Sequence, residues 1–326
     1  MKLLLTTLAI VYLSLFMSLQ AQEQVRVIPY PAEVTMQAET CKLKSGQKIH
    51  YLDASLYKEA AFLEKKLADL NYKMKVIPGK KAAKGINLSL NNRLQNKEGY
   101  QLIIAPKQVL IKGGSPAGVF YGIQTLLQQL TNGDLRCGTI EDAPRYEWRG
   151  YMLDEARHFS GEKRVKQILD LMAYYKMNRF HWHLTDAQGW RIEIRKHPKL
   201  TAGQSFYTQE ELADLIRYAA ERHVEIVPEL DIPGHTVAVL AAYPELGCTH
   251  TDTIAKNVGE TVNLMLCANN EKVYEVYNDI IDEVSALFPS RYIHLGGDEA
   301  VIEKNWTKCE RCQKMMKELK YEKASQ

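Results

Sequence analysis

From residue 150 onward the chain repeats one unit: a short β-branched or aromatic run, a polar residue at its end, then a one-sided helical stripe. Residues 150–153 read as a strand ending at Asp154-Glu155-Ala156-Arg157-His158, followed by a helix over 163–175. Residues 179–184 form the next strand and end at Thr185-Asp186. A helix over 208–222 follows, with Thr208 and Glu211 at the spacing of a capping box. The third strand, 224–227, runs into Pro228-Glu229-Leu230-Asp231 and Pro233-Gly234-His235. After a helix over 271–288, Tyr292, Ile293 and Leu295 give a fourth, buried strand, and 304–319 reads as one more helix. Strand–helix alternation with parallel crossovers predicts an α/β fold. Polar residues gathered at strand C-terminal ends are what a β/α barrel uses to build a site.

The fourth strand carries the densest chemistry. Gly296-Gly297 ends it and turns the chain, which lets the consecutive acids Asp298 and Glu299 serve one pocket rather than opposite faces. The N-terminal part has a different rhythm. Residues 25–30 begin an extended segment kept at an edge by Pro29 and Pro31. Leu56, Ala60, Leu63, Leu67 and Leu70 mark a helix over 54–71, and a second helix is expected over 117–130. Strands are expected at 86–90, 100–105 and 109–112, giving a small sheet backed by two helices. The glycines from Gly113 to Gly118 lack the Lys-Ser/Thr of a phosphate loop and read as a tight turn. The composition changes over 138–149, and residues 142–148 read as a linker, so the expected domains are 22–143 and 144–326.

Lys2 and the apolar run 3–17, with cleavage after Ala21, predict a signal peptide over 1–21 and a secreted or periplasmic protein. The run is shorter than the about 20 residues that span a bilayer, and no membrane span is expected in the mature form. A net charge of +3, without a basic stripe interleaved with aromatics, excludes nucleic acid and anionic membrane as expected partners. Export permits disulfides, and Cys248 with Cys267 is the expected pair because they bracket one loop. Cys309-Glu310-Arg311-Cys312 has half the spacing of a zinc site, but no second Cys/His pair follows it.

No Gly-x-Ser-x-Gly elbow, HExxH or dinucleotide fingerprint occurs. Two readings of the strand-end residues stay open. His181 and His183 share one strand face, and His235, His294 and Asp298 could complete a barrel metal site. Alternatively, Asp298 and Glu299 beside Arg157, Asp186 and His235 suit cleavage of a glycosidic bond, where one acid protonates the leaving oxygen and another faces growing positive charge.

Five long blocks carry a resemblance. They are Arg149-Gly-Tyr-Met-Leu-Asp154-Glu-Ala-Arg157-His-Phe159, Phe180-His-Trp-His-Leu-Thr-Asp186, Gln188-Gly-Trp-Arg-Ile192, Pro228-Glu-Leu-Asp-Ile-Pro-Gly-His235 and His294-Leu-Gly-Gly-Asp-Glu299. In order, they resemble the motifs of family 20 glycoside hydrolases, the β-N-acetylhexosaminidases, and residues 22–140 resemble the small α+β domain that precedes that family's barrel. The resemblance implies substrate-assisted retaining hydrolysis of terminal β-linked GlcNAc or GalNAc from oligosaccharides or glycoconjugates, with no metal or organic cofactor needed. It implies Glu299 as general acid/base and Asp298 as the group that orients the acetamido nucleophile. Arg157 would hold sugar hydroxyls, and Asp186 and His235 would surround Glu299. Thr185-Asp186-Ala187 departs from the family's Thr-Asp-Asp. About four βα units are counted where the resembled (β/α)8 TIM barrel has eight. The expectation is therefore a small α+β domain followed by the N-terminal half of a barrel. An inactive fragment with residual sugar binding is the alternative.

Overall fold

The computed structural model describes residues 25–131, 135–248 and 264–326. The expected signal peptide lies outside the described residues. The chain divides into two compact units, Met1–Ala143 and Pro144–Gln326.

In the first unit, seven strands form one sheet: β1 (Glu33–Thr40), β2 (Lys48–Tyr51), β3 (Lys75–Pro78), β4 (Gly85–Leu90), β5 (Tyr100–Ala105), β6 (Gln108–Gly113) and β7 (Arg136–Asp142). Their order is β1-β7-β5-β6-β4-β2-β3. The β5–β6 pair is an antiparallel hairpin, whereas β6, β4, β2 and β3 run parallel. Alternation along the hairpin buries Tyr100, Leu102, Ile104, Val109 and Ile111. Helices α1 (Tyr57–Asp69) and α2 (Pro116–Thr131) pack on each other and on this sheet. Ala60, Leu63 and Leu67 of α1 and Phe120 and Ile123 of α2 are buried there. Each large side chain so buried contributes about 1.5–3 kcal/mol. The turn reading of the glycine run holds. A Cβ on Gly118 would lie 2.3 Å from the Gly99 carbonyl oxygen, so this glycine serves close backbone packing.

Two expectations need correction in this unit. The expected linker begins one residue early: Asp142 still belongs to β7, in which Cys137 and Ile140 are buried and which is paired between β1 and β5. Strands β1, β2 and β3 were not foreseen. The latter two are four residues each, too short for a two-residue period to show.

In the second unit β8 (Gly150–Asp154), β9 (Arg179–His183) and β12 (Glu225–Glu229) pair in parallel, in the order β12-β9-β8. A two-residue hairpin, β10 (Thr185–Asp186) with β11 (Gly189–Trp190), follows β9. The helices are α3 (Glu162–Tyr174), α4 (Gln209–Ala220), α5 (Val237–Ala242), α6 (Glu271–Leu287), α7 (Ile302–Asn305) and α8 (Glu310–Leu319). Phe180, Trp182 and Trp190 share one core with the apolar stripes of α3, α4 and α6. The capping box at α4 is formed: the Thr208 hydroxyl accepts from Glu211 N, and the Glu211 carboxylate accepts from Thr208 N. Among the described residues no helix is long and apolar enough to cross a membrane.

The parallel register sets Asp154 beside His183 and His183 beside Glu229, which puts three strand ends in one layer. The expected fourth strand is reduced to one bridge, His294 with Glu229. His294 N donates to Pro228 O, Leu230 N to His294 O and Ile232 N to Leu295 O. Tyr292 and Leu295 were expected to be buried but are 52% and 43% exposed. Among the described residues this segment is paired along one side alone, so nothing regularises its other edge. The helix expected over 304–319 is also broken. Cys309 has extended backbone angles between a 3-10 turn, Trp306–Lys308, and α8.

Candidate active site

Glu229 sits at the centre of the strand-end layer with its side chain 4% exposed. His181 Nε2 lies 2.5 Å and His183 Nδ1 2.9 Å from its Oε2, and His294 Nδ1 lies 3.2 Å from Oε1. Burial pushes the Glu229 carboxyl up, but hydrogen bonds from His181 and His183 and the nearby imidazole charge outweigh it and hold the group well below the usual carboxylate range. Burial likewise opposes charge on His183. Hydrogen bonds to Asp186 and Glu229, with the charges of Glu229 and Asp154, raise its pKa to about 10. Arg157 Nη1, 3.2 Å from His183 Nε2, opposes that charge, and the carboxylates prevail.

Arg157 is held on the other side of this layer. Its Nη1 donates to Asp154 Oδ2, and its Nη2 forms an ion pair with Asp186 Oδ2, each at 2.8 Å. Arg191 fixes the loop that carries it, donating to the carbonyls of Glu155, Ala156 and Ser205 at 2.8–3.0 Å. The Asp186 side chain is 1% exposed and accepts from His183 Nε2 at 2.9 Å and from Ala187 N. Burial raises the Asp186 pKa, but these bonds and the charges of Arg157 and His235 bring it below the ordinary value. Asp231, next to it, moves the other way: burial and the charge of Asp298 outweigh the bonds from Gly297 N and His235. His235 Nδ1 lies 2.6 Å from Asp231 Oδ2 and 3.8 Å from Asp186 Oδ2. Burial works against a charged His235, yet the bond to Asp231 and the charges of Asp186, Asp231 and Asp298 raise its pKa.

The glycine pair is demanded by Asp231. Gly296 has φ +62°, and a Cβ there would lie 1.8 Å from Asp231 Oδ1, while Gly297 N donates to that same oxygen at 3.0 Å. The loop then delivers Asp298 Oδ1 to 4.0 Å from His235 Nδ1 and Glu299 Oε2 to 3.3 Å from His235 Nε2. His235 and Glu299 both adopt left-handed backbone angles, φ 54° and 50°. Such strain persists only where the surroundings over-determine it, and it concentrates at functional sites. Asp298 and Glu299 side chains are 70% and 72% exposed, so the pair forms a wet rim over a buried, charged floor.

Arg157, Asp186, His235, Asp298 and Glu299 thus share one constellation. The set considered for metal, His181, His183, His235 and Asp298, does not converge on one point. It falls into three groups: His181–Glu229–His294, His183–Asp186–Asp231 and Asp231–His235–Asp298. Glu229 has no role in the sequence reading, whereas Asp231 stands there among the strand-end acids. Both stand in the block Pro228–His235, and Glu229 aligns with His183 only once register is known.

The His183–Glu229 pair makes stability pH-dependent. His183 has its folded pKa raised from 6.5, so its contribution is complete below pH 6.5 and lost as pH rises towards about 10. Glu229 has its folded pKa lowered from 4.5, so its contribution is present above pH 4.5 and lost on further acidification. Glu229→Gln is expected to cost up to about 3–5 kcal/mol between these limits, because it leaves the buried His183 charge with Asp186 as its one buried carboxylate contact among the described residues. Thermal unfolding of both proteins across pH should show the largest gap there and a shrinking gap above it. A gap independent of pH would contradict the pairing.

Comparison with known proteins identifies the lineage. Residues 146–326 match the model of the glycosyl hydrolase family 20 catalytic domain, and residues 24–143 match that family's domain 2. The chain belongs to glycosyl hydrolase family 20. It is 37% identical over 321 residues to a beta-hexosaminidase of Porphyromonas gingivalis, covering 90% of this chain and 41% of that protein. The solved chitobiase of Flavobacterium johnsoniae superposes with a TM-score of 0.83 at 34% identity, over 93% of this chain and 49% of that one. The Streptomyces plicatus N-acetyl-beta-hexosaminidase in complex with Thio-NAglucal gives 0.77 at 37% identity, over 92% and 63%. These family 20 neighbours place an N-terminal domain before a TIM-barrel-like domain in this chain. The chain spans about half of the length of the first of these relatives.

Proposed function

We propose that the chain carries the N-terminal half of the catalytic barrel of an exo-acting β-N-acetylhexosaminidase, about four βα units of eight, exported by its first 21 residues. Its substrates are oligosaccharides or glycoconjugates ending in β-linked GlcNAc or GalNAc, and the reaction retains configuration. The observation that carries this reading is Glu299 held 3.3 Å from a buried imidazole, with Asp298 adjacent and Arg157 anchored across the same floor.

In this mechanism the acetamido oxygen of the substrate attacks the anomeric carbon while the glycosidic oxygen departs with a proton from Glu299. Asp298 orients the acetamido N–H and faces the positive charge of the oxazolinium. Glu299 then takes a proton from water, which attacks the same carbon and reopens the ring. His235, braced by Asp231, fixes the Glu299 carboxylate, and Arg157 donates to hydroxyls of the terminal sugar. The same residues could also bind sugar without turnover. The exposure of Asp298 and Glu299 favours keeping that second reading.

A paired assay separates the two. Hydrolysis of 4-nitrophenyl N-acetyl-β-glucosaminide is followed alongside calorimetric binding of a GlcNAc-thiazoline, a mimic of the oxazolinium. Turnover with binding is the expected result for the enzyme, and binding alone identifies the non-catalytic form. Equal hydrolysis of the plain β-glucoside would sink the substrate-assisted assignment, because that sugar lacks the attacking group.

A further inference from the structure

The disulfide expected between Cys248 and Cys267 is not formed. All six cysteines are free thiols, and four of them, Cys248, Cys267, Cys309 and Cys312, converge so that every sulfur lies within 4.8 Å of the others. The Cys309–Cys312 pair does have a partner pair, but it lies upstream in the sequence. Gly247 and Leu266 form an antiparallel bridge, and Cys267 N donates to Leu246 O at 2.9 Å, so the residues after each, Cys248 and Cys267, arrive together. Cys309 sits at the extended break before α8, and Cys312 lies in the first turn of that helix.

The sulfur spacing discriminates between chemistries. Sγ···Sγ is 3.9 Å for Cys248–Cys312, 3.7 Å for Cys267–Cys309 and 3.6 Å for Cys267–Cys312. A tetrahedral zinc ion with Zn–S bonds of about 2.3 Å requires sulfurs about 3.8 Å apart. Two disulfides would instead pair the thiols exclusively, whereas here Cys267 and Cys312 each approach two others. Cys267, Cys309 and Cys312 are buried, and Ala268 and Trp306 pack against the cluster. The surrounding bonds lock the four ligand-bearing segments together. Asn269 Nδ2 donates to Arg311 O at 2.6 Å, Arg311 Nη2 to Gly247 O at 2.7 Å and Trp306 Nε1 to Leu266 O at 2.9 Å. Bonds of this kind around the ligands of a metal site fix their orientation.

We propose that Cys248, Cys267, Cys309 and Cys312 bind one zinc ion as a closed tetrathiolate. Binding displaces the four thiol protons to solvent and involves no change of oxidation state. All four positions are filled by sulfur, so the site is structural and leaves no place for water or substrate. The ion would clip α8 to the segment that follows α5. That segment also reaches the sugar site, since Leu266 N donates to Pro233 O, two residues before His235.

The test is made on the whole chain, expressed with zinc and dialysed exhaustively. Elemental analysis is expected to find one zinc per chain, retained in Cys41→Ser and lost in the Cys309→Ser/Cys312→Ser double variant. Cobalt exchanged into the wild type is expected to give the intense visible bands of a tetrahedral thiolate site, a readout that does not require any variant to fold. Removing zinc is expected to open α8 to trypsin at Lys314 and Lys317. Disulfides mapped among these four cysteines, iron or no metal in their place, or zinc that survives the double substitution would overturn the proposal. Zinc lost on substituting His181 or His183 while the four cysteines are intact would also overturn it.

Discussion

Glu299→Gln is expected to lower kcat for an N-acetyl-β-glucosaminide by about 10²–10⁴-fold, the usual contribution of a positioned general acid and base. The amide keeps the size of the carboxyl group and can still meet His235 Nε2, which lies 3.3 Å from Glu299 Oε2. The change therefore removes proton transfer and little else. The proposed role predicts more than a slow enzyme. A 4-nitrophenolate leaving group needs little protonation, whereas a sugar alkoxide needs a proton to depart. The defect should be larger for chitobiose than for the nitrophenyl substrate, because the first step then depends on the missing acid. A small anion that attacks without deprotonation should partly restore turnover of the nitrophenyl substrate, because the second step no longer needs a base. Rates across a leaving-group series, for both proteins, check this. An equal defect for every leaving group would remove Glu299 from the acid role.

What sequence could show of this site depended on whether chemistry is written locally. Arg157, Asp186, His235, Asp298 and Glu299 stand at the ends of four successive apolar runs, and strand ends are legible because apolar periodicity stops there. Glu229 was harder. Glu229 is a strand residue, and its three imidazole neighbours come from β9 and from the segment at His294, so its role exists only in register. The capping box at Thr208 was readable because both partners lie within one turn. The cysteine cluster was not, since its members come from positions 248, 267, 309 and 312. Proximity in sequence favoured a disulfide between two of the four members and hid the other two. Residues 304–319 keep a helical period across Cys309, so the break that turns this residue towards the other sulfurs leaves no local signal. The weak fourth strand has the opposite explanation. Tyr292, Ile293 and Leu295 have strand propensity, but a strand needs partners as well as propensity, and the described residues pair this one along one side.

Asp298→Asn is expected to weaken binding of a GlcNAc-thiazoline by about 10²–10³-fold, the scale seen when one preorganised group facing transition-state charge is removed. Asp298 Oδ1 lies 4.0 Å from His235 Nδ1, and its charge contributes to raising the pKa of both Asp231 and His235. The carboxylate is thus an electrostatic partner of the buried floor as well as the group proposed to meet the acetamido N–H. Asparagine preserves the shape and one acceptor but loses the charge, so the cationic intermediate should suffer more than the neutral substrate. The expected pattern is a large loss for the thiazoline and a smaller one for GlcNAc itself, measured by calorimetry at a pH where the thiazoline is protonated. Substrate lacking the acetyl group should be inert with either protein, because the attacking oxygen is gone. A two-carboxylate mechanism makes opposite demands on the same residue. Asp298 would then attack the sugar directly, the plain β-glucoside would be hydrolysed, and a fluorinated glucoside would leave its sugar on Asp298 in the intact mass. That adduct, with thiazoline affinity unchanged in Asp298→Asn, would replace the acetamido nucleophile with a protein one.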